Sequence, residues 1–336
     1  MMEARASAPG KAVIAGEYAV LAGAPAISMA LNRRAQVRIR EIEESSHCVS
    51  APGYLEGSFR FSVTPEAEIV WLDELPSAKA FALFEAVWKQ LGMTQRSGLS
   101  IILDTSGFFD AASGSKLGLG SSAALATALT AALAALQSSP VSIDSVAASA
   151  HQEFQRGNGS GIDIATAVHG GVIGYQVGTR TISLPWPKGL VYQLLWSGEA
   201  VSTTGKLDHL AKTLSLPSRD RLVTLSRDVT AAWTAGSITR LLSELRRYTL
   251  VLQEFSLDHK LGIFEAGHQE LADKAETCRK TVYKPCGAGG GDIGIVLAES
   301  MREIDLFTTD AVKSGFEPLD ISLDSAGVLV AGRSPC

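Results

Sequence analysis

The chain has 336 residues, of which 46% are hydrophobic and 19% are charged, and its net charge is −5. That composition is typical of a globular protein with a buried core, and the negative balance argues against a nucleic-acid-binding surface. Four widely spaced cysteines without a C-x-x-C pair argue against a zinc site and a disulfide framework. No signal-peptide pattern and no apolar run of membrane-spanning length is recognisable. We therefore expect a cytoplasmic protein that binds neither nucleic acid nor a membrane.

The first half of the chain predicts a mixture of strands and helices. Residues 6–22 predict a strand, a glycine turn and a second strand. Further strands are predicted, from alternating or β-forming residues, over 35–42, 59–64, 98–104 and 172–176. Helices are predicted, from apolar residues at helical spacing, over 78–91, 121–136 and 142–154. The segment 181–189 contains two prolines and predicts a connection between two halves.

The second half begins with a predicted strand over 191–196 and a mostly helical region over 204–279. The elements predicted after it are a strand, a glycine loop and a strand over 281–297, a helix over 301–314, and strands over 318–323 and 327–331. Strands and helices thus mix without strict alternation. The sequence therefore predicts an α+β architecture rather than a doubly wound sheet.

One stretch, 116–124 (KLGLGSSAA), combines the features of a phosphate-binding site. Gly118 and Gly120 permit a tight turn, two serines follow, and an Ala-rich helix begins. A glycine-rich turn at a helix N-terminus offers free N–H groups and the positive end of the helix dipole to a phosphate. Taken alone, the stretch fits a capped helix start equally well. It is neither a P-loop, because no Gly-Lys-Ser/Thr follows, nor a dinucleotide fingerprint.

Small-residue clusters recur at four places, 8–11 (APGK), 118–122 (GLGSS), 157–163 (GNGSGID) and 284–292 (KPCGAGGGD). In this order they resemble the GHMP kinase superfamily over nearly the whole chain. The resemblance implies an N-terminal, ATP-binding domain over 1–188 with a ribosomal protein S5 domain 2-like fold, and a ferredoxin-like C-terminal domain over 189–336. It also implies a cleft between the domains and the cofactors ATP and Mg²⁺. The oligomeric state is open between monomer and homodimer.

Details within the superfamily resemble its phosphomevalonate kinase branch. Tyr18 stands where mevalonate kinases usually carry histidine, and Lys116 opens the glycine-rich stretch 116–124, which we call the second motif. The cluster 284–292, which we call the third motif, begins Lys-Pro and ends at Asp292. The segment 196–203 (WSGEAVST) resembles the part of that branch that grips the substrate phosphate. The implied reaction transfers the γ-phosphoryl group of ATP to mevalonate 5-phosphate, in the mevalonate pathway to isoprenoid precursors. The alternatives are a mevalonate kinase, a diphosphomevalonate decarboxylase and a non-catalytic sensor of ATP or metabolites.

The resemblance assigns catalysis to Lys11, Asp163 and Lys116. Asp163 would orient or deprotonate the attacking oxygen, and Lys11 would keep that carboxylate ionised and stabilise charge on the transferring phosphoryl group. Lys116 would bring a second positive charge to the phosphates. The alternatives are a helix-capping aspartate and two solvated lysines, and the surrounding motifs favour the catalytic interpretation.

Nucleotide binding is expected at the second motif, in Gly118, Leu119, Gly120, Ser121, Ser122 and Ala123. Substrate binding is expected in Lys11, Ser160, Asp163, Ser202, Thr203, Gly289 and Asp292. The expected ligands of the magnesium ion are Ser121, Ser122 and Glu153. Glu153 is offset by one position from the metal-binding glutamate of mevalonate kinases, so a solvated helix glutamate is an equal alternative.

Three aromatic residues have two interpretations each. Trp71 and Trp88 lie where the family forms its adenine pocket, and core packing is the alternative for both. His151 has no assigned task, and a core or helix-face histidine is the default.

Overall fold

A computed structural model describes residues 2–94, 97–137, 140–157, 159–200, 206, 210 and 216–331. The strands in this part of the chain are β1 Glu3–Ala15, β2 Ala26–Ile42, β3 His47–Ala51, β4 Leu55–Val63, β5 Ile69–Trp71, β6 Gly98–Asp104, β7 Val172–Tyr175, β8 Ile182–Leu184, β9 Val191–Trp196, β10 Thr281–Pro285, β11 Ile293–Ala298, β12 Glu317–Leu319 and β13 Leu329–Ala331. The helices are α1 Ala82–Gln90, α2 Ser121–Gln137, α3 Ile143–Phe154, α4 Ile162–His169, α5 Pro217–Ala235, α6 Ile238–Asp258, α7 His268–Cys278 and α8 Met301–Lys313. Short 3₁₀ turns occupy Ala19–Ala22 and Ser106–Phe108.

The first sheet carries its strands in the order β13-β1-β2-β6-β3-β4-β5, and β7 and β8 extend it from β2. Strands β1 and β2 pair antiparallel along most of their length, which places Lys11 opposite Ala30. Helix α2 contacts β1 and β2 and is flanked by α1, α3 and α4. Because neighbours enclose α2, most of its residues are buried and its sequence is apolar around its circumference.

The second sheet has the order β10-β11-β9-β12, and all of its described pairings are antiparallel. Helices α6 and α7 contact β10, while α8 contacts β9 and β11. Every residue of β10 and β11 is buried, so both strands are almost entirely apolar, with Lys284 as the charged exception. The two sheets share a core, because one cluster of buried side chains includes Ile14 and Phe108 together with Leu195 and Tyr248.

The expected α+β class is confirmed, and several elements differ from the sequence prediction. A second strand was expected within residues 6–22, but the chain turns at Gly16 (φ 98°) and Tyr18 (φ 61°) and continues as a 3₁₀ turn. The expected connection 181–189 contains β8, which pairs with β7. The short strands β3 and β5 were not predicted. Among the described residues, no helix combines the length and the apolar character needed to cross a membrane.

The end of the chain returns to the first sheet. Strand β13 pairs with β1, with Arg5 opposite Ala331, and Arg34 in β2 forms an ion pair with Asp324 at 2.6 Å. The division into residues 1–188 and 189–336 stays a prediction. Residues 324–331 differ from it, because these contacts attach them to the first sheet although the prediction places them in the second unit.

Candidate active site

A cleft lies where the loops of the two units meet. It is lined by parts of all four glycine-bearing clusters, namely Lys11, 118–122, 159–163, 287–288 and Asp292. These segments are far apart in the sequence, and the fold brings them to one place. The convergence agrees with the prediction that the four clusters act together.

Lys11 is held on β1 with its ammonium group directed into the cleft. Its backbone N–H donates to the carbonyl oxygen of Leu119 at 2.8 Å, which joins β1 to the glycine turn before α2. Its Nζ lies 3.4 Å from Oδ1 of Asp163, and the two side chains are 12% and 30% exposed. Burial alone would lower the pKa of Lys11, but the Asp163 carboxylate is the largest of several opposing influences, and together they raise that pKa above the ordinary lysine value. The lysine therefore stays charged at neutral pH.

Asp163 lies in the first turn of α4. Gly161 precedes that helix with φ 84°, a conformation that glycine adopts without strain. The carboxylate of Asp163 therefore lies at the N-terminus of α4, the positive end of the helix dipole. Ser160 shapes the same turn, because its Oγ accepts the Ile162 N–H at 3.3 Å and its carbonyl oxygen accepts the Tyr175 hydroxyl. The short helix thus presents a carboxylate, not an apolar residue, to Lys11.

The second motif forms the predicted turn into α2. Gly118 (φ 75°) and Gly120 (φ 79°) are both left-handed, and each faces another part of the site. A Cβ on Gly118 would lie 2.2 Å from Cγ of Asp292, and one on Gly120 would lie 3.1 Å from carbons of the Lys11 side chain. Both positions therefore favour glycine conformationally, and at Gly118 a side chain would also clash with Asp292. The N–H groups in the first turn of α2 have no acceptor within the helix and lie at the edge of the cleft.

Around this turn, the other predicted residues separate into two groups. Ser121, Ser122 and Lys116 line the cleft, with Lys116 on its exposed rim. Leu119 contributes its backbone, because its side chain is buried in the core, and Ala123 is buried under the first turn of α2.

Helix α3 presents a different residue to the cleft than the sequence predicted. His151 and Gln155 line the cleft, four residues apart on one helix face, whereas Glu153 between them points about 200° away. Glu153 is 48% exposed and lies 3.9 Å from Lys89. Glu153 thus does not line the cleft, which favours the solvated helix glutamate over the metal ligand, and its part in metal binding stays a prediction.

His151 was missed as a site residue. Its Nε2 lies 3.0 Å from Oγ of Ser122, and the imidazole is buried. Burial lowers the pKa of His151, and the nearby Asp163 carboxylate offsets this only in part, so the ring is neutral at pH 7. A helical-phase analysis of α3 would have placed it beside the glycine turn.

The loop 286–292 between β10 and β11, which we call the third loop, closes one side of the cleft. The Tyr18 hydroxyl donates to the carbonyl oxygen of Ala288 at 2.7 Å, and the backbone N–H of Asp292 donates to the backbone carbonyl oxygen of Glu199 at 2.6 Å. Gly289 does not line the cleft. It packs against Ile263, and its carbonyl oxygen accepts Nζ of Lys206 at 2.7 Å, so its contacts shape the loop.

The four remaining predicted residues form two pairs. Ser202 and Thr203, the expected phosphate-gripping pair, fall outside the described residues. Trp88 is fully buried, and Trp71 stacks on Phe81 with ring centroids 5.0 Å apart. Trp88, on α1, belongs to the core, Trp71 packs against that core, and neither lines the cleft.

Comparison with known proteins relates this cleft to one family. Residues 80–171 match the model for the GHMP kinases N terminal domain. A phosphomevalonate kinase from Streptomyces sp. (strain CL190) is 32% identical over 96% of this chain and 97% of its own length. A mevalonate kinase from Aeropyrum pernix is 28% identical over 62% of this chain and 61% of its own.

A solved structure agrees with these matches in fold. The Streptococcus pneumoniae phosphomevalonate kinase, in complex with phosphomevalonate and AMPPNP, superposes with a TM-score of 0.76 at 18% identity, over 95% of this chain and 99% of that one. The family-model match and the Streptomyces relative, which aligns over nearly the whole of both chains, agree with the four clusters around the cleft. The chain therefore belongs to the GHMP kinase family.

Proposed function

We propose that the protein transfers the γ-phosphoryl group of ATP to mevalonate 5-phosphate, giving mevalonate 5-diphosphate and ADP. The observation that carries the proposal is the contact between Lys11 and Asp163, 3.4 Å apart, which faces the glycine turn at the start of α2. Phosphoryl transfer needs positioning and charge neutralisation more than covalent chemistry, and this pair offers both.

The ATP phosphates would lie on the glycine turn. The free N–H groups of 121–123 and the dipole of α2 stabilise negative charge there, and the glycines allow the close approach of the phosphates to the backbone. The hydroxyls of Ser121 and Ser122 would hold Mg²⁺ together with the phosphate oxygens. The described residues contain no group of three or more acidic, histidine or cysteine side chains able to hold a metal alone. A site of that kind fits Mg²⁺, which binds through few protein ligands plus substrate phosphates and neutralises their charge.

In the reaction, an oxygen of the acceptor phosphate forms a bond to the γ-phosphorus while the bond to the β–γ bridging oxygen breaks. Asp163 orients the acceptor, and Lys11 stabilises the charge on the transferring group. The acceptor phosphate is already largely ionised at neutral pH, so a strong base is not needed. We assign Lys116, Ser160 and Asp292, at the edges of the same cleft, to the acceptor and its phosphate.

The choice of acceptor rests on two kinds of support. The Streptomyces phosphomevalonate kinase aligns over nearly the full length of both chains, and Lys116 adds a second cationic side chain to the rim of the cleft. The Aeropyrum relative supports mevalonate as a second candidate, because it is a mevalonate kinase of similar identity over a shorter alignment. The two reactions use the same cleft and differ in whether the acceptor carries a phosphate.

Purified protein tests the proposal through ADP release with Mg-ATP and each acceptor separately. We expect kcat/KM for mevalonate 5-phosphate to exceed that for mevalonate by at least about 100-fold, because mevalonate lacks the phosphate with which Lys116 and the other assigned polar groups would pair. A K11M variant purified in the same way controls for contaminating kinases. The opposite preference would assign the protein to mevalonate phosphorylation, and no ADP with either acceptor would overturn the proposed reaction.

A further inference from the structure

Two buried charged side chains lie beside the cleft without a part in the proposed chemistry. Among the described residues, Glu17 (4% exposed) and Lys284 (0%) are the only buried members of the Asp, Glu, Lys and Arg types. They lie 267 residues apart in the sequence and form an ion pair. Glu17 belongs to the turn after β1 and lines the cleft, whereas Lys284 is the single charged residue of the buried strand β10.

Hydrogen bonds satisfy both charges from three separate elements. Nζ of Lys284 donates to the carbonyl oxygens of Pro285 at 2.8 Å and Val13 at 3.4 Å. The hydroxyl of Tyr248, on α6, donates to Oε2 of Glu17 at 3.1 Å and accepts the backbone N–H of Gly16 at 3.0 Å. The network therefore fixes the end of β1 against β10 and α6.

The fixed segments are those that carry the two sides of the site. Val13 follows Lys11 by two residues on β1, and Pro285 leads directly into the third loop. That loop approaches Lys11 closely, since a Cβ on Gly287 would lie 3.3 Å from Nζ of Lys11. The Tyr18 hydroxyl, next to Glu17 in the sequence, holds the same loop at Ala288.

We propose that Glu17 and Lys284 are positioning residues for phosphoryl transfer. They set the third loop and its Asp292 against Lys11 and the glycine turn. The inference rests on the proposed function for its kinetic consequence, but the placement of the loop does not depend on which acceptor is used. Neither residue is proposed to touch substrate.

Energetics favour a positioning task over simple stabilisation. Removing two charges from water is costly, and well-packed apolar side chains of similar size often stabilise a fold as much as a buried ion pair does. An ion pair with directional hydrogen bonds differs from apolar packing because it fixes distance and angle between the elements it joins. Because this pair lies at the junction between β1 and the third loop, we infer that its role is to fix the relative position of these two segments.

The test neutralises both charges together with a Glu17→Gln, Lys284→Met double variant, which leaves no unpaired buried charge. We expect it to fold, to lose about tenfold or more in kcat, and to keep the KM for ATP within about twofold, because misplacing reacting groups slows chemistry more than it weakens nucleotide binding. Hydrogen–deuterium exchange of the segment 287–291, measured without ligands, should accelerate. Leu83→Ala, a cavity variant on α1 in the other core cluster, serves as a control that loses stability but keeps kcat and the exchange of 287–291.

Tyr248→Phe provides an independent arm that removes one hydroxyl and no charge. We expect kcat to fall about threefold or more at an unchanged KM for ATP. Wild-type kcat together with wild-type exchange of 287–291 in the double variant would overturn the inference. If the double variant does not fold, wild-type kcat in Tyr248→Phe would overturn it. The exchange measurement separates this result from a failure of the proposed reaction, because it needs neither acceptor.

Discussion

Replacing Asp163 with Asn tests the core of the proposed mechanism. The substitution keeps the size of the side chain and removes the charge 3.4 Å from Nζ of Lys11. At an effective dielectric constant of about 20, a charge pair at that distance interacts by about 5 kcal/mol. Because Asp163 is 30% exposed, we take about half of that value, ~2.5 kcal/mol, as the loss in the transition state. Each 1.36 kcal/mol is a factor of ten in rate, so kcat should fall about 70-fold.

The assay is steady-state ADP release under saturating Mg-ATP and acceptor, with ATP binding measured separately by calorimetry. Asp310→Asn is the matched control, because Asp310 forms an exposed ion pair with Lys313 at 2.8 Å, outside the cleft. That variant should retain wild-type kcat. The Asp163 variant should bind ATP with nearly unchanged affinity, because the glycine turn is intact. A turnover within threefold of wild type would refute the role of the pair.

Three further predictions follow from the described geometry. Gly118→Ala should abolish turnover, because its Cβ would lie 2.2 Å from Asp292 in a left-handed backbone. Gly114→Ala is the control, because Gly114 is also left-handed (φ 69°) but faces open space, so that substitution should lower stability and leave kcat unchanged. Equal losses of kcat in both variants would contradict the prediction. Glu153→Gln should leave the Mg²⁺ dependence of kcat unchanged within twofold, and a large shift in the Mg²⁺ titration would return Glu153 to the metal site. Burial lowers the pKa of His268 to about 4, so below pH 6.5 the unfolded chain binds a proton that the folded protein does not. The free energy of unfolding from urea titrations should therefore fall by about 2 kcal/mol from this group between pH 7.5 and 5, a decrease that His268→Gln should remove.

Local sequence patterns were sufficient for most regular elements. The strands over 98–104 and 191–196 have the bounds that their β-forming residues predicted, and α2 follows from its apolar run. Strands β3 and β5 were missed because they are short and their residues show no sustained alternation. The turn at 19–22 was missed because Tyr18 before it is left-handed, a conformation that residues other than glycine rarely adopt and that no local pattern predicts.

The candidate site was predictable as a set of loops but not as a set of contacts. Motif order brought Lys11, Asp163 and the glycine turn into one hypothesis, and the structure places them around one cleft. Motif alignment counts positions along α3, whereas access to the cleft depends on helical phase. For that reason Glu153 was chosen and His151 was missed, although they are two residues apart.

The ion pair of Glu17 and Lys284 marks the limit of reasoning from one sequence. Each residue alone is typical of an exposed position, and the usual expectation for Lys284 in an apolar strand is an edge or a loop. Its burial becomes reasonable only when Glu17, 267 residues away in the chain, is brought to it in the turn after β1 and the Tyr248 hydroxyl donates to that glutamate. An unpaired buried charge would be strongly destabilising, so the pairing is a condition for the two units to join in this arrangement. A lone lysine within a buried strand therefore carries information, because it requires an acidic partner from another element, and that partner identifies where the elements meet.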